Sequence, residues 1–368
     1  MITANDTKAA AVTAGPLGQM SVFDHEQVVF CNDNTTGLKA IIAVHNTVLG
    51  PALGGTRMWP YATEAEALTD VLRLSRGMTY KAAVAGLNLG GGKAVIIADS
   101  RKDKSEALMR RFGKFVDSLG GKYITAEDVG INSRDMEYAY METKHVTGIP
   151  AHLGGSGDPS PVTAYGVYMA MKATAKERWS NDSLNGKKVL VQGVGNVGSH
   201  LVDHLVKEGA KIYITDIYED RIKAVTGKHS SVEVVTGDSI YDLDIDIYAP
   251  CALGATVNDA TLSRLKCSII CGAANNQLAD EAIHGKIVME KGILYAPDFV
   301  VNAGGLINVY SEVAKYGREA ALAQAENIYN TTAGIYAMSK KDNIPTYMAA
   351  NRTAEARIAA MAHIRTKR

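Results

Sequence analysis

Short apolar runs alternate with amphipathic stretches in the first half of the chain, which predicts strands separated by helices. The runs of strand length lie at 27–31, 38–45, 93–98 and 122–125. Thr63-Glu64-Ala65-Glu66 has the spacing of a capping box and predicts the start of a helix. A second helical stripe continues to about Leu119, where Gly120 is expected to end it.

The same alternation returns in the second half of the chain. Runs of strand length occupy 188–192, 211–215, 232–235, 246–249, 268–271 and 293–296, and a helix is predicted from Asn196 to about 208. Two helical patterns follow, at about 319–340 and 346–364. Strands that alternate with helices favour an α/β fold with a parallel, doubly wound sheet.

A stretch rich in glycine and proline separates the two series. Residues 148–161 contain four glycines and three prolines, which leaves little room for regular structure. We interpret this stretch as a domain junction that can act as a hinge. We therefore predict a loose tail (1–20), a first domain (21–150) that a C-terminal helix (about 345–368) completes, and a second domain (151–344).

Composition and charge narrow the class of protein. The 368 residues are enough for about two domains, and a net charge of zero favours neither nucleic acid nor an anionic membrane as a partner. No apolar run reaches the length of a membrane span, and residues 1–20 lack the apolar core of a signal peptide, so we expect a cytoplasmic protein. Neither the four cysteines nor His200 and His204 have a complete zinc-ligand spacing, so we expect no bound metal.

Two lysines lie on either side of a glycine-rich segment that we interpret as a turn. Lys81 precedes it, and Lys93 follows Gly90, Gly91 and Gly92 directly and enters an apolar run. Glycines let a ligand or another backbone approach closely, and an amine held there in a cleft can act as a base or bind a carbonyl group. On these residues alone, a lysine that covers a strand edge is an equal alternative.

A dinucleotide-binding sequence opens the second series. Gly193, Gly195 and Gly198 form Gly-x-Gly-x-x-Gly between a predicted strand and a predicted helix, and Asp216 ends the next strand. The glycines would let a pyrophosphate approach the positive end of the helix, and the carboxylate would accept hydrogen bonds from the adenosine ribose. That charge repels the 2′-phosphate of NADP, so NAD is favoured, although Arg221 keeps the use of both open. The alternative is a glycine-rich turn without a ligand.

Further polar residues follow other predicted strands. Asp128 comes just after the run at 122–125, Asn275 follows the run at 268–271, and Asn302 precedes a Gly-Gly pair that opens another helix. The carboxyl ends of strands are where α/β sheets keep their sites. On local evidence a helix cap or an Asn-rich turn explains these residues equally well.

Together these motifs resemble the Glu/Leu/Phe/Val dehydrogenase family, and most closely its leucine branch, from about 23 to 364. The stretches that carry the resemblance are 50–57, 78–81, 89–93, 125–130, 158–166, 193–198, 249–254, 272–278 and 302–305. The resemblance implies a two-domain amino acid dehydrogenase, with an N-terminal α/β substrate domain and a doubly wound Rossmann domain that binds NAD. It also implies a small-molecule substrate and a homo-oligomer, by resemblance an octamer.

The reaction that the resemblance implies is the reversible oxidative deamination of an L-amino acid to a 2-oxo acid, ammonia and NADH. Lys81 would bind the substrate carboxylate, Lys93 would be the catalytic lysine, and Asp128 would carry protons to and from the amino group. Thr163 resembles the family's contact with the nicotinamide carboxamide. The cofactor residues that the resemblance adds to the three glycines and Asp216 are Val194, Asn196, Val197, Ala249, Pro250, Cys251, Ala273 and Asn275.

The resemblance also bears on the substrate. Leu53 stands where the glutamate branch carries a lysine, so an apolar side chain is expected, as in leucine, valine or isoleucine. The substrate residues implied by resemblance are Lys81, Leu53, Gly54, Gly55, Ala126, Asn275, Leu306 and Val309. Leu306 replaces the branch's usual valine, and one methylene shifts preference by about 1–3 kcal/mol.

Two other functions stay open. Phenylalanine and tryptophan are alternative substrates within the same family. A non-catalytic NAD-binding protein is the more remote alternative, since an inactive relative is expected to have lost Lys93 or Asp128 and both are present.

Overall fold

The computed structural model describes residues 15–365, which divide into two compact units. The first unit runs to Gly157 and also contains Glu312–Lys315 and the chain from Ala354 onward. The second consists of Asp158–Ser311 and Tyr316–Thr353. The chain therefore first crosses from one unit to the other between Gly157 and Asp158, inside the glycine- and proline-rich stretch 148–161.

A five-stranded mixed sheet forms the centre of the first unit. Its strands are β1 (Gln27–Asp33), β2 (Leu38–Asn46), β3 (Ala52–Trp59), β4 (Gly90–Ile97) and β5 (Tyr123–Glu127). Their order across the sheet is β1-β2-β4-β3-β5. β2 runs antiparallel to both of its neighbours, whereas β3 runs parallel to β4 and to β5.

Helices cover both faces of this sheet. They are α1 (Pro16–Phe23), α2 (Glu64–Val84), α3 (Glu106–Asp117) and α4 (Ser133–Tyr140). Successive strand residues point to opposite faces, so Ile41 and Ile42 of β2 enter different layers. Ile41 lies in one buried cluster with Leu72 of α2, and Ile42 lies in another with Phe112 of α3. β4 is thus buried between α2 and α3.

The sheet of the second unit is wholly parallel and has six strands. They are β6 (Lys188–Gln192), β7 (Lys211–Thr215), β8 (Glu233–Val234), β9 (Ile247–Pro250), β10 (Ile269–Ile270) and β11 (Leu294–Tyr295). The order β8-β7-β6-β9-β10-β11 reverses between β6 and β9. This is the strand order of the dinucleotide-binding fold, and it confirms the predicted doubly wound sheet.

Helices connect these strands and continue beyond them. They are α5 (Ser160–Trp179), α6 (Asn196–Glu208), α7 (Glu219–Lys228), α8 (Asp259–Leu262), α9 (Glu281–Glu290), α10 (Asp298–Val301), α11 (Gly304–Ala314), α12 (Arg318–Glu326), α13 (Ile328–Asp342) and α14 (Thr346–Arg365). Short 3₁₀ turns lie at Ala151–Leu153 and Asp238–Asp242. No α-helix within residues 15–365 is both long and apolar enough to cross a membrane.

The structure corrects several of the predicted elements. Residues 16–20 were predicted as loose tail but belong to α1. Gln19 of this helix is buried and accepts a hydrogen bond from Thr69 at 3.2 Å. Residues 1–14 of the predicted tail lie outside the described residues. The single helix predicted at 319–340 is two helices that meet at Asn327. β3 was not predicted at all, because its two glycines and the proline before it are poor strand formers.

The predicted capping box is only half formed. Thr63 accepts a hydrogen bond from the Glu66 amide at 3.1 Å, as expected. The Glu66 carboxylate, however, accepts from the Ala62 amide at 3.0 Å instead of that of Thr63. The helix still begins where the pattern indicated, because one cap satisfies an amide of the first turn.

Candidate active site

The three glycines before Lys93 are part of a strand, and the predicted turn is wrong. All three belong to β4, and at each position a side chain would collide with a close neighbour. A Cβ on Gly91 would lie 2.1 Å from the Thr79 nitrogen of α2, and one on Gly92 would lie 2.6 Å from the Tyr123 ring. The glycines therefore let α2 and β5 pack directly against the backbone of β4.

Lys93 is buried in the middle of this strand. It is 6% exposed and pairs in register with Ala43 of β2. Side chains of successive strand residues point to opposite faces, so Lys93 shares a face of the sheet with Gly91 and Val95. Helix α2 packs against that face. A lysine on a strand edge, the alternative that the sequence left open, does not describe this position.

A carboxylate at the end of β5, which β3 separates from β4 in the sheet, pairs with the buried amine. Asp128 directly follows β5, and its Oδ2 accepts a hydrogen bond from Lys93 Nζ at 2.5 Å. An unpaired charge would be costly at such a site, whereas a hydrogen-bonded pair is tolerated. The structure thus joins two candidates that stand 35 residues apart in the sequence.

A second cation lies next to the same oxygen. Arg57 Nε of β3 is 3.5 Å from Asp128 Oδ2. Burial opposes ionisation of Asp128, but Lys93 and Arg57 outweigh it and hold the pKa of the carboxyl below its usual value. Asp128 is therefore a carboxylate at neutral pH. Sequence reasoning did not assign Arg57, because its position depends on the unpredicted strand β3.

The close packing of β3 requires glycine at the two candidate substrate positions 54 and 55. A Cβ on Gly54 would lie 1.7 Å from the Gly92 oxygen, and one on Gly55 would lie 2.9 Å from the Asp128 Cβ. Glycine at 55 thus allows Asp128 to lie against β3. Lys81 is half-buried in the last turn of α2, the helix that covers the Lys93 face of β4.

The four apolar candidates fall into two pairs, one in each unit. Leu53 and Ala126 lie on the adjacent strands β3 and β5 and are buried. Leu306 and Val309 stand three residues apart on α11, hence on one side of that helix. A single pocket made from both pairs stays a prediction.

The Gly-x-Gly-x-x-Gly segment forms the expected turn between β6 and α6. Gly193 has a φ of +96°, and a Cβ on Gly198 would lie 2.0 Å from the Gly193 oxygen. Gly195 is the N-cap of α6, and a Cβ there would meet only the Arg221 side chain, at 3.5 Å. No side chain of the described residues caps α6, so its first amides can bind an anion such as a pyrophosphate.

Asp216 stabilises this turn with two hydrogen bonds. Its two oxygens accept hydrogen bonds from the amides of Val194 at 2.9 Å and Tyr218 at 3.0 Å. Arg221 lies 3.8 Å from the same carboxylate and is about half exposed. Val194 is buried, whereas Asn196 and Val197 begin α6.

The other cofactor candidates meet at the ends of β9 and β10. Ala249 and Pro250 end β9, and the Cys251 amide donates to the Gln192 oxygen at 2.7 Å. Ala273 donates its amide to the Cys251 sulfur at 3.5 Å. These residues therefore lie next to β6, at the point where the strand order reverses and dinucleotides bind in this fold.

Asn275 and Thr163 lie next to Asn302 and Gly305, respectively, and the sequence did not predict these contacts. Asn302 donates to Asn275 Oδ1 at 2.8 Å and to the Ala273 oxygen at 3.1 Å. Thr163 lies in the first turn of α5, and a Cβ on Gly305 would lie 3.0 Å from its hydroxyl. Asn302 was noted before a Gly-Gly pair, but its contact with Asn275 could not be read from the pattern.

The chain matches known protein families over most of its length. The family described as "Glu/Leu/Phe/Val dehydrogenase, dimerisation domain" matches residues 25–145. The family described as "Glutamate/Leucine/Phenylalanine/Valine dehydrogenase" matches 154–218 and 213–365. Together the two matches cover nearly all of the chain.

Individual relatives are similar over most of their length. A leucine dehydrogenase from Geobacillus stearothermophilus is 56% identical over 94% of this chain and 94% of its own. A valine dehydrogenase from Streptomyces virginiae is 52% identical over 91% of this chain and 94% of its own. The crystal structure of L-tryptophan dehydrogenase from Nostoc punctiforme is similar with a TM-score of 0.85 and 46% identity, over 94% of this chain and 99% of that one.

Proposed function

Because the chain belongs to the Glu/Leu/Phe/Val dehydrogenase family, we propose that it catalyses the NAD-dependent, reversible oxidative deamination of branched-chain L-amino acids. Leucine is the proposed main substrate, with valine and isoleucine beside it. In the oxidative direction an L-amino acid, NAD and water yield a 2-oxo acid, an ammonium ion, NADH and a proton. The observation that carries the proposal is the buried pair of Lys93 and Asp128, at 2.5 Å.

Three residues of the first unit have separate roles in the proposed reaction. Lys81 binds the α-carboxylate of the substrate. Asp128 accepts a proton from the substrate ammonium group, since Lys93 and Arg57 keep it ionised. Lys93 positions and activates the water that hydrolyses the iminium formed from the substrate, and then polarises the new carbonyl group.

The second unit fits a nucleotide cofactor. The uncapped start of α6 and the open space over Gly195 suit a pyrophosphate, and Asp216 suits the ribose hydroxyls of NAD. When bound, NAD accepts the hydride from the substrate Cα. Thr163 and Asn275 are proposed to hold its carboxamide, and Ala249, Pro250, Cys251 and Ala273 to line its path.

Substrate choice follows from the apolar residues. Leu53, with 2% exposure, offers no charge to a side-chain carboxylate, so glutamate is disfavoured. The 56% identity to a leucine dehydrogenase supports leucine. An aromatic amino acid is the second candidate, because the tryptophan dehydrogenase structure is 46% identical.

A substrate panel tests the proposal. We expect NADH formation at alkaline pH, followed by absorbance, with leucine, isoleucine and valine, and little with phenylalanine, tryptophan or glutamate. Faster turnover of tryptophan or phenylalanine would establish the second candidate. No NADH with any of the six would refute both.

Replacement of Lys93 by alanine tests the assigned roles. We expect turnover to fall by about 1,000-fold or more, because the water and the developing carbonyl lose their charged partner. Binding of NADH, measured by fluorescence, should be unchanged, since the nucleotide residues lie in the other unit. A rate near that of the wild type would remove Lys93 from the mechanism.

We also propose a homo-oligomer, an octamer by the family resemblance, since the matched family description of residues 25–145 names a dimerisation domain. Light scattering after gel filtration would measure the mass. A monomer at micromolar concentration would contradict this part of the proposal.

A further inference from the structure

Arg57 sits between two carboxylates. Its Nη1 is 2.8 Å from Asp70 Oδ2, and its Nε is 3.5 Å from Asp128 Oδ2. The side chains of all three residues are at most a quarter exposed, at 24%, 14% and 25% for Arg57, Asp70 and Asp128. Burial opposes the charge of the guanidinium, but Asp128 and Asp70 outweigh it, so that the pKa of Arg57 is raised.

Asp70 is itself held in place. It accepts hydrogen bonds from the Tyr61 hydroxyl at 2.7 Å and from Arg73 Nη2 at 3.1 Å. Asp70 and Arg73 belong to α2, and Tyr61 follows β3. The far side of Arg57 is thereby fixed, with its Nε 3.5 Å from the carboxylate oxygen that contacts Lys93.

From this arrangement, and resting on the proposed function, we propose that Arg57 is a positioning residue that holds the Asp128 carboxylate against Lys93. Arg57 keeps its charge throughout the pH range of catalysis, whereas Asp128 is the group that takes up the substrate proton in the proposed reaction. The fixed charge of Arg57 favours the ionised form of Asp128 before each turnover and holds the carboxylate in place.

The contact between Arg57 Nε and Asp128 is electrostatic. Arg57 Nε is buried and has no hydrogen-bond partner within the described residues. Its distance of 3.5 Å from Asp128 Oδ2 is beyond that of a normal N–H···O bond but short for two opposite charges in a partly buried site.

Other groups around Asp128 do not replace Arg57. Lys93 approaches from β4, Arg57 from β3 and Tyr123 from β5. The Tyr123 hydroxyl is buried and donates to the Gly54 oxygen at 2.7 Å, so it carries no charge to the site. The neighbouring Val129 amide also helps to lower the pKa of the Asp128 carboxyl. Arg57 is therefore the permanent positive charge next to Asp128 among these groups.

The structure also offers a route for chemical rescue. Arg57 lines a cavity of about 740 Å³, together with Trp59, Tyr61, Asp70 and Arg73. Removal of the Arg57 side chain would extend this cavity toward Asp128. A guanidinium ion added in solution would then reach the vacated position.

The test compares Arg57→Ala and Arg57→Lys with Arg110→Ala in the full-length enzyme. Arg110 of α3 also pairs with two carboxylates, those of Glu106 and Glu142, but lies outside the Asp70–Arg57–Asp128 network and serves as the matched control. We expect Arg57→Ala to lower kcat by about 100-fold, with KM for leucine almost unchanged. The acidic limb of the pH profile of kcat/KM should move to higher pH, since Asp128 loses a neighbouring cation. Millimolar guanidinium or Arg57→Lys should restore part of the rate, and Arg110→Ala should behave as the wild type.

A double-mutant cycle separates positioning from a structural role. If Arg57 acts through Asp128, Arg57→Ala should have little further effect in an Asp128→Asn background. An unchanged kcat and pH profile, a loss that neither guanidinium nor lysine restores, or an additive loss in the double variant would each overturn the inference. An inactive wild type would refute the proposed function instead, and the two failures are therefore distinct.

Discussion

We propose that Leu53 sets the class of substrate. It lies in β3, in register with Gly91 of β4 and Ile124 of β5, and is almost fully buried. Its strand neighbours carry no charge, so a carboxylate brought next to it would lose water without gaining a partner. In the proposed site Leu53 thus disfavours an acidic side chain because it offers no charge, and adding a charge there should reverse the preference.

We predict that Leu53→Lys lowers kcat/KM for leucine by about 10- to 100-fold and raises it for glutamate. The new ammonium would pair with the glutamate side chain but would leave leucine beside a charge. Initial rates with both substrates measure the change, and Leu53→Met, which keeps the position apolar and of similar volume, is the control. Relative rates that do not move would show that Leu53 is away from the substrate side chain.

At the scale of elements, the buried His45 and the half-buried His25 join α1, β2 and α2. The rings of His25 and His45 lie edge to face at 4.8 Å. His25 contacts the Ser75 hydroxyl of α2 at 2.7 Å, and His45 contacts Thr79 of α2 at 2.8 Å and the Phe23 oxygen of α1 at 3.1 Å. Burial, helped by the neighbouring His45, lowers the pKa of His25 to about 3, and burial with nearby Arg76 lowers that of His45 to about 4.

These shifts predict a loss of stability in mild acid. Both histidines stay neutral in the folded chain, while the unfolded chain takes up protons below pH 6.5, its ordinary histidine pKa. Their contribution is therefore complete above pH 6.5 and is lost as the pH falls toward 4, by on the order of 3 kcal/mol for His45. Urea unfolding at several pH values measures it. His45→Gln should flatten the slope between pH 6.5 and 4, and an unchanged slope would contradict this origin.

A carboxylate at the end of α11 organises the stretch of glycine and proline. Glu312 accepts hydrogen bonds from the Gly148 amide at 3.0 Å, the Ser156 amide at 2.8 Å and the Ser156 hydroxyl at 2.6 Å. One side chain thus ties together both ends of the segment between these residues. The segment has little regular structure of its own, so its conformation depends strongly on this contact.

We predict that Glu312→Ala speeds hydrogen exchange of the Gly148 and Ser156 amides by about tenfold or more, because each loses a charged acceptor. Glu312→Gln, which keeps an acceptor oxygen, should have a smaller effect. Glu319→Ala, at an exposed position on α12, is the control. Equal exchange in all three variants would mean that other contacts hold the segment.

At the scale of the whole molecule, local pattern predicted the second unit better than the first. The turn after β6 and the acid after β7 are encoded within one short βαβ sequence, so Gly193 and Asp216 could be assigned before their neighbours were known. The first unit depends on contacts between distant segments. β3 carries Gly54 because β4 lies so close, and this tertiary requirement overrides strand propensity. Without β3, the place of Arg57 beside Asp128 could not be foreseen.

The choice of nucleotide should be visible in the stability of the folded chain, since a ligand that binds only the folded state stabilises it by about 2.7 kcal/mol at 100 times its Kd. We predict that NADH raises the unfolding temperature more than NADPH at equal concentration, because the Asp216 carboxylate repels a 2′-phosphate. Asp216→Asn removes this charge but keeps an oxygen for the Val194 amide, and it leaves Arg221 beside the site. The gap between the two nucleotides should therefore close or reverse in this variant. If NADPH already stabilises the wild type as much as NADH, Arg221 outweighs the carboxylate and the enzyme uses both cofactors.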